Sequence, residues 1–224
     1  MKIGFYASAL ASQQQEKRLA VLANNIANTA TPGYKKDAMS FKDFIYHTTH
    51  TRMDQGTLRT TENPLDIGLQ GNGFLRVQTA EGILYTRAGN LTLSKDRTLV
   101  TQDGYPVLNR NGPIQLKDTN VRIDRDGQIF DDKGPIDTID VVVFPEGVVP
   151  EKVKYNYFKI PEGEQPVQAT NCTVQQGALE QANFNMVEEM AQLIDTTRSF
   201  ESYQKVLQSF VQEDSEIITK LGNP

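Results

Sequence analysis

The carboxyl-terminal part of the chain carries the pattern that most restricts how it can fold. Mostly apolar positions there follow alternating steps of four and three residues without a break. A hydrophobic repeat of about 3.5 residues is typical of a helix that packs along a partner helix. The positions that form this stripe are Met186, Met190, Leu193, Thr197, Phe200, Gln204, Leu207, Val211, Asp214, Ile218 and Leu221.

The length of this helix indicates that it needs a partner. Asn183 or Asn185 would cap its start, with Glu188 and Glu189 in its first turn. About 38 helical residues would span roughly 57 Å, whereas a β domain of about 110 residues has a radius of gyration of only ~13 Å. The helix would therefore extend past such a domain. An ordinary amphipathic helix lying on the β domain is the alternative.

The first thirty residues predict a second helix. They contain no Pro, and no Gly after Gly4, and Ala, Leu, Gln and Lys dominate. Thr31-Pro32-Gly33 ends this helix, because Pro disfavours helical geometry in the residue before it and Gly readily takes a positive φ. An imperfect stripe again takes steps of four and three: Phe5, Ala9, Ser12, Glu16, Leu19, Ala23 and Ile26.

Charge suggests that the two terminal helices pair with each other. Residues 1–36 hold five basic side chains and one acidic side chain, whereas residues 180–224 hold eight acidic and three basic ones. Opposite charges favour correct pairing and orientation of two surfaces more than they raise affinity. The sequence therefore predicts long N- and C-terminal helices packed as a coiled-coil-like pair.

Between the helices, the hydrophobic period changes to that of short β-strands. A longer run, Ile139–Phe144, predicts a central strand, and Gly-containing turns such as Asp103-Gly104 and Asn111-Gly112 separate the others. The fold class is therefore α+β, with an inserted all-β domain that is sandwich-like or an open barrel. The shorter predicted strands are Leu75–Val77, Leu84–Thr86, Leu91–Leu93, Leu99–Thr101, Val121–Ile123 and Ile129–Phe130.

Composition excludes several classes of function. The net charge of −5 argues against binding to nucleic acid or to an anionic membrane surface, because both require a basic stripe. One cysteine, Cys172, cannot form an internal disulfide. The first residues lack the unbroken apolar core of a secretory signal peptide, so any export would use another route. No run approaches the roughly 20 apolar residues of a membrane span.

Motifs that resemble catalytic or ligand sites favour structural explanations. Gly71-Asn72-Gly73 starts like a nucleotide-binding loop but precedes a strand, and Asp124–Gly127 resembles a calcium loop that lacks its final Glu. His47 and His50 have no clear partner ligands nearby, and a half-buried thiol is expected at Cys172. We therefore expect no catalytic residue, no cofactor and no metal site.

Four motifs resemble those of a known family. Ala23–Lys35 (ANNIANTATPGYK) is similar to the N-terminal signature of flagellar rod and hook proteins. Asn63–Phe74 (NPLDIGLQGNGF), Tyr85–Gly89 (YTRAG) and Gly177–Met190 (GALEQANFNMVEEM) follow in the family's order, with Arg198-Ser199-Phe200 after them. The resemblance reaches nearly from end to end. Pro64-Leu65-Asp66 and Gly112-Pro113-Ile114 look most like the proximal-rod members, and the distal-rod members are the alternative.

This resemblance implies a structural subunit of the bacterial flagellar rod. Its terminal helices would line a hollow axial tube and its β domain would face outward. The domains would be an N-terminal helix (1–30), an extended connector (31–66), a β domain (67–175) and a C-terminal helix (176–224). Expected partners are other copies, other rod proteins, surrounding ring proteins and the flagellar type III export apparatus. A wall-acting hydrolase and a secreted adhesin remain as alternatives from other classes.

The periodicity and the resemblance together select the residues expected at the assembly interface. Helix positions come from the two stripes, and the Asn side chains would bond backbone groups where the first helix ends. These residues are Phe5, Ala9, Leu19, Ala23, Asn24, Asn25, Ile26, Asn28, Met186, Met190, Leu193, Phe200, Leu207, Val211, Ile218 and Leu221.

Overall fold

The described chain forms two compact units, each assembled from separated segments. The computed structural model describes residues 2–42 and 46–222, and the side chains of all of these except 2, 41–42, 46–47, 214 and 217–222. The helical unit comprises the described residues of Met1–Ala27, Asp37–Arg52 and Phe184–Pro224. The β unit comprises Asn28–Lys36 and Met53–Asn183. Helices at both ends and strands between them confirm the α+β class.

The helical unit contains both long helices and a β-hairpin. Helix α1 spans Lys2–Ala27, and helix α2 spans Met186–Gly222. The side chain of Asn185 caps α2, since its Oδ1 accepts a hydrogen bond from the Val187 amide at 2.9 Å. Neither helix, over its described residues, has a stretch long and apolar enough to cross a lipid bilayer.

The segment expected to be an extended connector, 31–66, contains three strands. Strands β1 (Asp37–Lys42) and β2 (Tyr46–Thr51) pair antiparallel. Strand β3 (Leu58–Thr60) pairs with β17 (Ala178–Glu180) in the β unit. The β1–β2 ribbon lacks the alternation of apolar and polar residues that marks a half-buried strand, and this explains why the sequence pattern did not predict it.

The largest sheet of the β unit has six antiparallel strands. The predicted strand within Ile139–Phe144 is β12, and it lies between two neighbours rather than at an edge. In spatial order the strands are β13 (Glu151–Lys154), β14 (Tyr157–Lys159), β6 (Gly82–Thr86), β5 (Phe74–Thr79), β12 (Val141–Val143) and β15 (Val167–Gln168).

Smaller sheets complete the β unit. Strand β4 (Ile67–Gly71) pairs with β16 (Cys172–Gln176), and β7 (Leu91–Leu93) pairs with β8 (Leu99–Thr101). A three-stranded sheet has the order β11 (Gly134–Thr138), β10 (Gln128–Asp131), β9 (Arg122–Ile123). The six shorter strands predicted from the sequence therefore correspond to β5 to β10.

Two apolar clusters form the core of the β unit. The smaller one is aromatic, and Phe74 stacks on Phe144 with ring centroids 4.4 Å apart. The larger one is mainly aliphatic and draws on most of the strands. Its buried members are Leu65, Ile67, Leu69, Leu75, Val77, Leu84, Leu91, Leu99, Val107, Ile114, Leu116, Val121, Ile123, Ile129, Ile139, Tyr157 and Val174.

Candidate assembly surface

Within the helical unit, α1 and α2 pack antiparallel. Three contacts fix their register: the rings of Phe5 and Phe210 meet edge to face at 6.4 Å, and Gln204 Nε2 lies 3.1 Å from Ser12 Oγ. Nearer the other end, Asn25 Nδ2 donates to Glu189 Oε2 at 3.2 Å. The partner's residue number falls as the number in α1 rises, so the two helices run in opposite directions.

Asn25 connects three parts of the helical unit. Its Oδ1 accepts from the Asp37 amide at 3.0 Å, and its Nδ2 donates to the Asp37 carbonyl at 2.9 Å as well as to Glu189. A carboxamide carries the same donor and acceptor as a peptide group, so Asn25 pairs with the Asp37 backbone as a neighbouring strand would. Asn25 and Glu189 are buried, which makes these bonds costly to lose.

The stripe predicted on α2 is only partly covered within the helical unit. Leu193, Phe200 and Leu207 are half-buried in the helical unit. Met186, Met190 and Val211 are exposed, with 42%, 45% and 59% of their surface accessible. Ile218 and Leu221, also predicted for the interface, lie outside the residues whose side chains the structure describes.

The residues predicted on α1 also separate by exposure. Ala9, Leu19 and Ile26 are half-buried, Ala23 and Asn24 are exposed, and Phe5 is exposed although its ring contacts Phe210. Asn28 follows α1 and is a buried residue of the β unit, where its carbonyl accepts the Thr31 amide at 3.0 Å.

Sequence reasoning missed two groups of residues on these helices. The first group is buried and was not selected for the interface, because most of its members are polar, and this includes Ser12 although it lies on the predicted stripe: Ser12, Leu22, Glu189 and Thr196. The second is apolar and exposed, on helix faces outside the predicted stripes: Ile3, Tyr6, Leu10, Val187 and Ile194. An apolar repeat of 187, 190 and 194, read beside the main stripe, would have indicated the two members of the second group on α2.

A buried ionic cluster lies in the β unit and joins three of the four sequence motifs. Glu180 accepts from Lys35 Nζ at 2.8 Å and from Arg87 Nε at 2.6 Å. Its Oε1 also accepts from the Gly56 amide at 2.8 Å. Burial lowers the pKa of Lys35, while the neighbouring Glu180 carboxylate opposes that shift.

Arg87 uses its remaining donors on backbone carbonyls. Its Nη2 bonds the carbonyls of Leu69 at 3.0 Å and Gly71 at 2.7 Å, and its Nη1 bonds that of Gly73. The guanidinium thus holds the β4–β5 turn, the stretch whose Gly71-Asn72-Gly73 sequence resembles a phosphate loop. Gly71 has a φ of +101°, as a tight turn permits. The stretch is a turn between two strands.

The remaining residues that the sequence analysis considered as ligands or nucleophiles lie in a turn, in a strand or outside the description. Asp124 Oδ1 accepts the amides of Asp126 and Gln128, so the calcium-like stretch is the turn that precedes β10. Cys172 is half-buried, and burial raises the pKa of its thiol. His50 is exposed on β2, and the side chain of His47 lies outside the description. Among the described residues, no group of three His, Cys, Asp or Glu side chains is placed to hold a metal ion.

Three protein-family models match the chain in order. A flagella basal body rod protein model covers residues 5–35. A model of the flagellar hook protein FlgE/F/G D1 domain covers residues 68–131. A model of the flagellar basal body rod FlgEFG protein C-terminal region covers residues 175–217. The first and last matches fall largely on α1 and α2, and the second falls on the β unit.

Curated relatives match over nearly their whole length. The flagellar basal-body rod protein FlgF of Rhizobium meliloti is 30% identical, over 99% of this chain and 99% of its own. FlgF of Salmonella typhimurium is also 30% identical, over 93% and 94%. The basal-body rod protein FlgG of Bacillus subtilis is 29% identical, over 93% of both chains. The chain with the paired terminal helices described above therefore belongs to the flagellar basal-body rod protein family.

Proposed function

We propose that the chain is a structural subunit of the flagellar rod that polymerises through its terminal helices. In the assembled rod these helices form the wall of a hollow axial shaft, which is also the export channel. Neighbours are other copies and other rod proteins, with ring proteins around them. The chain reaches this position through the flagellar type III export apparatus, and it carries out no catalysis.

Exposed apolar side chains on the helical unit are the observation that carries this proposal. Within the unit, α1 and α2 already face each other, yet Ile3, Tyr6, Val187 and Ile194 keep 87%, 69%, 75% and 52% of their surface accessible. Single exposed apolar residues are ordinary on a protein surface, but repeated ones along the same helices mark surfaces that other chains cover. We propose that further helices pack on them in a coiled-coil-like manner.

A charge placed on this exposed surface tests the proposal. In a motile strain whose own copy of the gene is deleted, Val187→Asp and Ile194→Asp should abolish swimming in soft agar. Each variant would bury an unpaired carboxylate between subunits, which is strongly unfavourable. The circular dichroism of each purified variant should match that of the wild type, because both positions are exposed in the monomer.

The matched control is Ser202→Asp, which adds the same charge at an exposed polar position of α2. It should swim normally. Normal motility of Val187→Asp and Ile194→Asp would refute assembly through this surface.

Within the rod, we propose the proximal position. The supporting feature is the Pro64-Leu65-Asp66 sequence, which together with Gly112-Pro113-Ile114 looks most like the proximal-rod members. In the structure Asn63 closes this turn, since its Oδ1 accepts the Leu65 amide at 3.2 Å and its Nδ2 donates to Asp66 at 2.8 Å. The discriminating measurement is complementation: the gene should restore motility to a strain lacking its proximal-rod protein. Rescue of a strain lacking the distal-rod protein instead would assign it to the distal rod.

A further inference from the structure

The short segment Thr31–Lys36, here called the anchor segment, is held in the β unit as a bound peptide is held by a receptor. In chain order it lies between α1 and β1, which both belong to the helical unit. Two of its side chains are nevertheless buried in the β unit: Tyr34 has 0% and Lys35 1% of its surface accessible. The anchor segment is thus covalently joined to one unit and is a non-covalent ligand of the other.

Two stretches of the β unit bind the backbone of the anchor segment. From one side, the Glu180 carbonyl accepts the Gly33 amide at 2.7 Å. Asn183 donates its amide to the Tyr34 carbonyl at 3.3 Å and accepts the Lys36 amide on Oδ1 at 2.8 Å. From the other side, Lys152 Nζ donates to the Lys35 carbonyl at 2.8 Å. Recognition of a peptide backbone by alternating donors and acceptors supplies affinity without sequence selectivity.

Side-chain pockets supply the selectivity. The ammonium group of Lys152 lies 4.0 Å from the centroid of the Tyr34 ring, a cation–π contact. Lys35 Nζ reaches Glu180 at 2.8 Å and the Asp54 carbonyl at 2.6 Å. This position requires a basic side chain as long as lysine, because the Glu180 carboxylate that it must reach lies at the far end of the pocket.

Gly33 adds a steric filter. Its φ is +67°, and a Cβ at this position would overlap the backbone carbonyl of Arg87. Only glycine permits the backbone to approach so closely in this conformation. The three consecutive residues Gly33, Tyr34 and Lys35 are therefore each selected by a different feature of the β unit.

We propose that the β unit contains a peptide-recognition cleft for a short segment with the sequence Gly-Tyr-Lys. The chain's own anchor segment fills the cleft, and the same segment from a second copy fills it when the first is withdrawn. Such an exchange would link the α1 helix of one copy to the β unit of another, as in domain swapping. This inference does not depend on the assignment to the rod.

Binding of a free peptide to a full-length chain with a weakened anchor segment tests the cleft. The receptor is the double variant Tyr34→Ala/Lys35→Ala, and the probe is a fluorescently labelled peptide with the sequence of residues 28–37. Fluorescence anisotropy should show saturable binding. The wild-type chain should show none at the same concentrations, because its own segment competes at an effective concentration of about millimolar.

Peptides with one changed residue measure the selectivity. A peptide carrying Lys35→Glu should bind at least about tenfold more weakly, since it loses a charge-assisted hydrogen bond and meets a carboxylate. A peptide carrying Gly33→Ala should bind still more weakly. In the receptor, adding Glu180→Gln should reduce binding of the unchanged peptide and leave the affinity for the Lys35→Glu peptide equal or higher.

Folding of the receptor is checked separately by its β-sheet circular dichroism and thermal transition. If the double variant is unfolded, a second full-length receptor, Gly33→Ala, replaces it, and recovery of either receptor's β signal on addition of peptide supports the cleft. The proposal is overturned by a folded receptor that binds no peptide or that binds the Lys35→Glu peptide equally well. It is also overturned if both receptors are unfolded and neither recovers its β signal with peptide.

Discussion

For Asn25, the type of interaction was predictable from the sequence, whereas one of its partners was not. From the sequence, its amide was expected to bond backbone groups where the first helix ends, and in the structure it pairs with both backbone groups of Asp37. The type of interaction follows from amide chemistry. Glu189 as a further partner could not be predicted, because 164 residues separate the two in the chain. The burial of Glu189 depends on tertiary packing, so no local sequence pattern predicts it.

Tyr157 gives a pH-dependent prediction at the same scale. Its hydroxyl lies 2.7 Å from Asp103 Oδ2 and 3.1 Å from Thr101 Oγ1. Burial, reinforced by the Asp103 carboxylate, raises the pKa of Tyr157 above its ordinary value of 10.0. The folded state therefore keeps this proton at pH values where the unfolded state has lost it. Folding then takes up a proton, and the free energy of unfolding falls as the pH rises above about 10.

The variant Tyr157→Phe isolates this effect. At pH 8 it should unfold more easily than the wild type, by about 1–2 kcal/mol, because it lacks a buried hydrogen bond. At pH 11 the difference should shrink, since phenylalanine does not titrate. Urea unfolding at both pH values measures it, and Tyr85, whose pKa burial also raises, is present in both proteins. An equal difference at pH 8 and pH 11 would contradict a raised pKa at Tyr157.

At the scale of elements, the helices and most strands were predictable and the hairpin was not. Repeats of seven residues and turns such as Asp126-Gly127 are local signals that specify an element without its neighbours. The β1–β2 hairpin lacks such a signal, and an isolated two-stranded ribbon is marginal in water. Contacts such as those of Asp37 with Asn25 support it, and these arise only once the chain has folded.

The two faces of α2 should respond differently to the same substitution. Phe200→Asp introduces a charge at a half-buried position of the helical unit and should weaken the helix pair by about 1–3 kcal/mol. Ile194→Asp, at an exposed position, should leave the pair unchanged. Thermal unfolding followed by helical circular dichroism at 222 nm separates the two variants. Equal loss of helix stability in both would mean that the inner and outer faces are assigned incorrectly.

At the scale of the whole molecule, the division into units did not follow from composition. The sequence predicted boundaries at residues 67 and 175, where the β pattern begins and ends. In the structure, Lys35 Nζ donates to the Glu180 carboxylate and to the Asp54 carbonyl, and the Gly56 amide also donates to Glu180. All three residues are therefore hydrogen-bonded within the β unit. Because these are single polar contacts rather than a repeated pattern, periodicity cannot reveal that the flanking segments belong to the same unit.

Limited proteolysis of the purified monomer tests this division. Local opening concentrates where few apolar side chains are buried, and both helices leave many of theirs exposed. Trypsin should therefore cut first in α1 and α2, and the resistant core identified by mass spectrometry should contain residues 53–183 together with 28–36. A core trimmed to about 65–175, or a full-length chain that resists digestion throughout, would contradict the division.

The pairing of Lys35 with Glu180 also bears on when the protein can fold. The two residues are 145 positions apart in the chain, and β3 likewise pairs with a strand, β17, that lies near the other end of the β unit's sequence. During synthesis, or during passage through a narrow pore, the amino-terminal third would have emerged long before its charge partner. Contacts so distant in sequence form slowly and late. The subunit would consequently stay incompletely folded during this passage, and it would reach its final structure only after almost the whole chain has emerged.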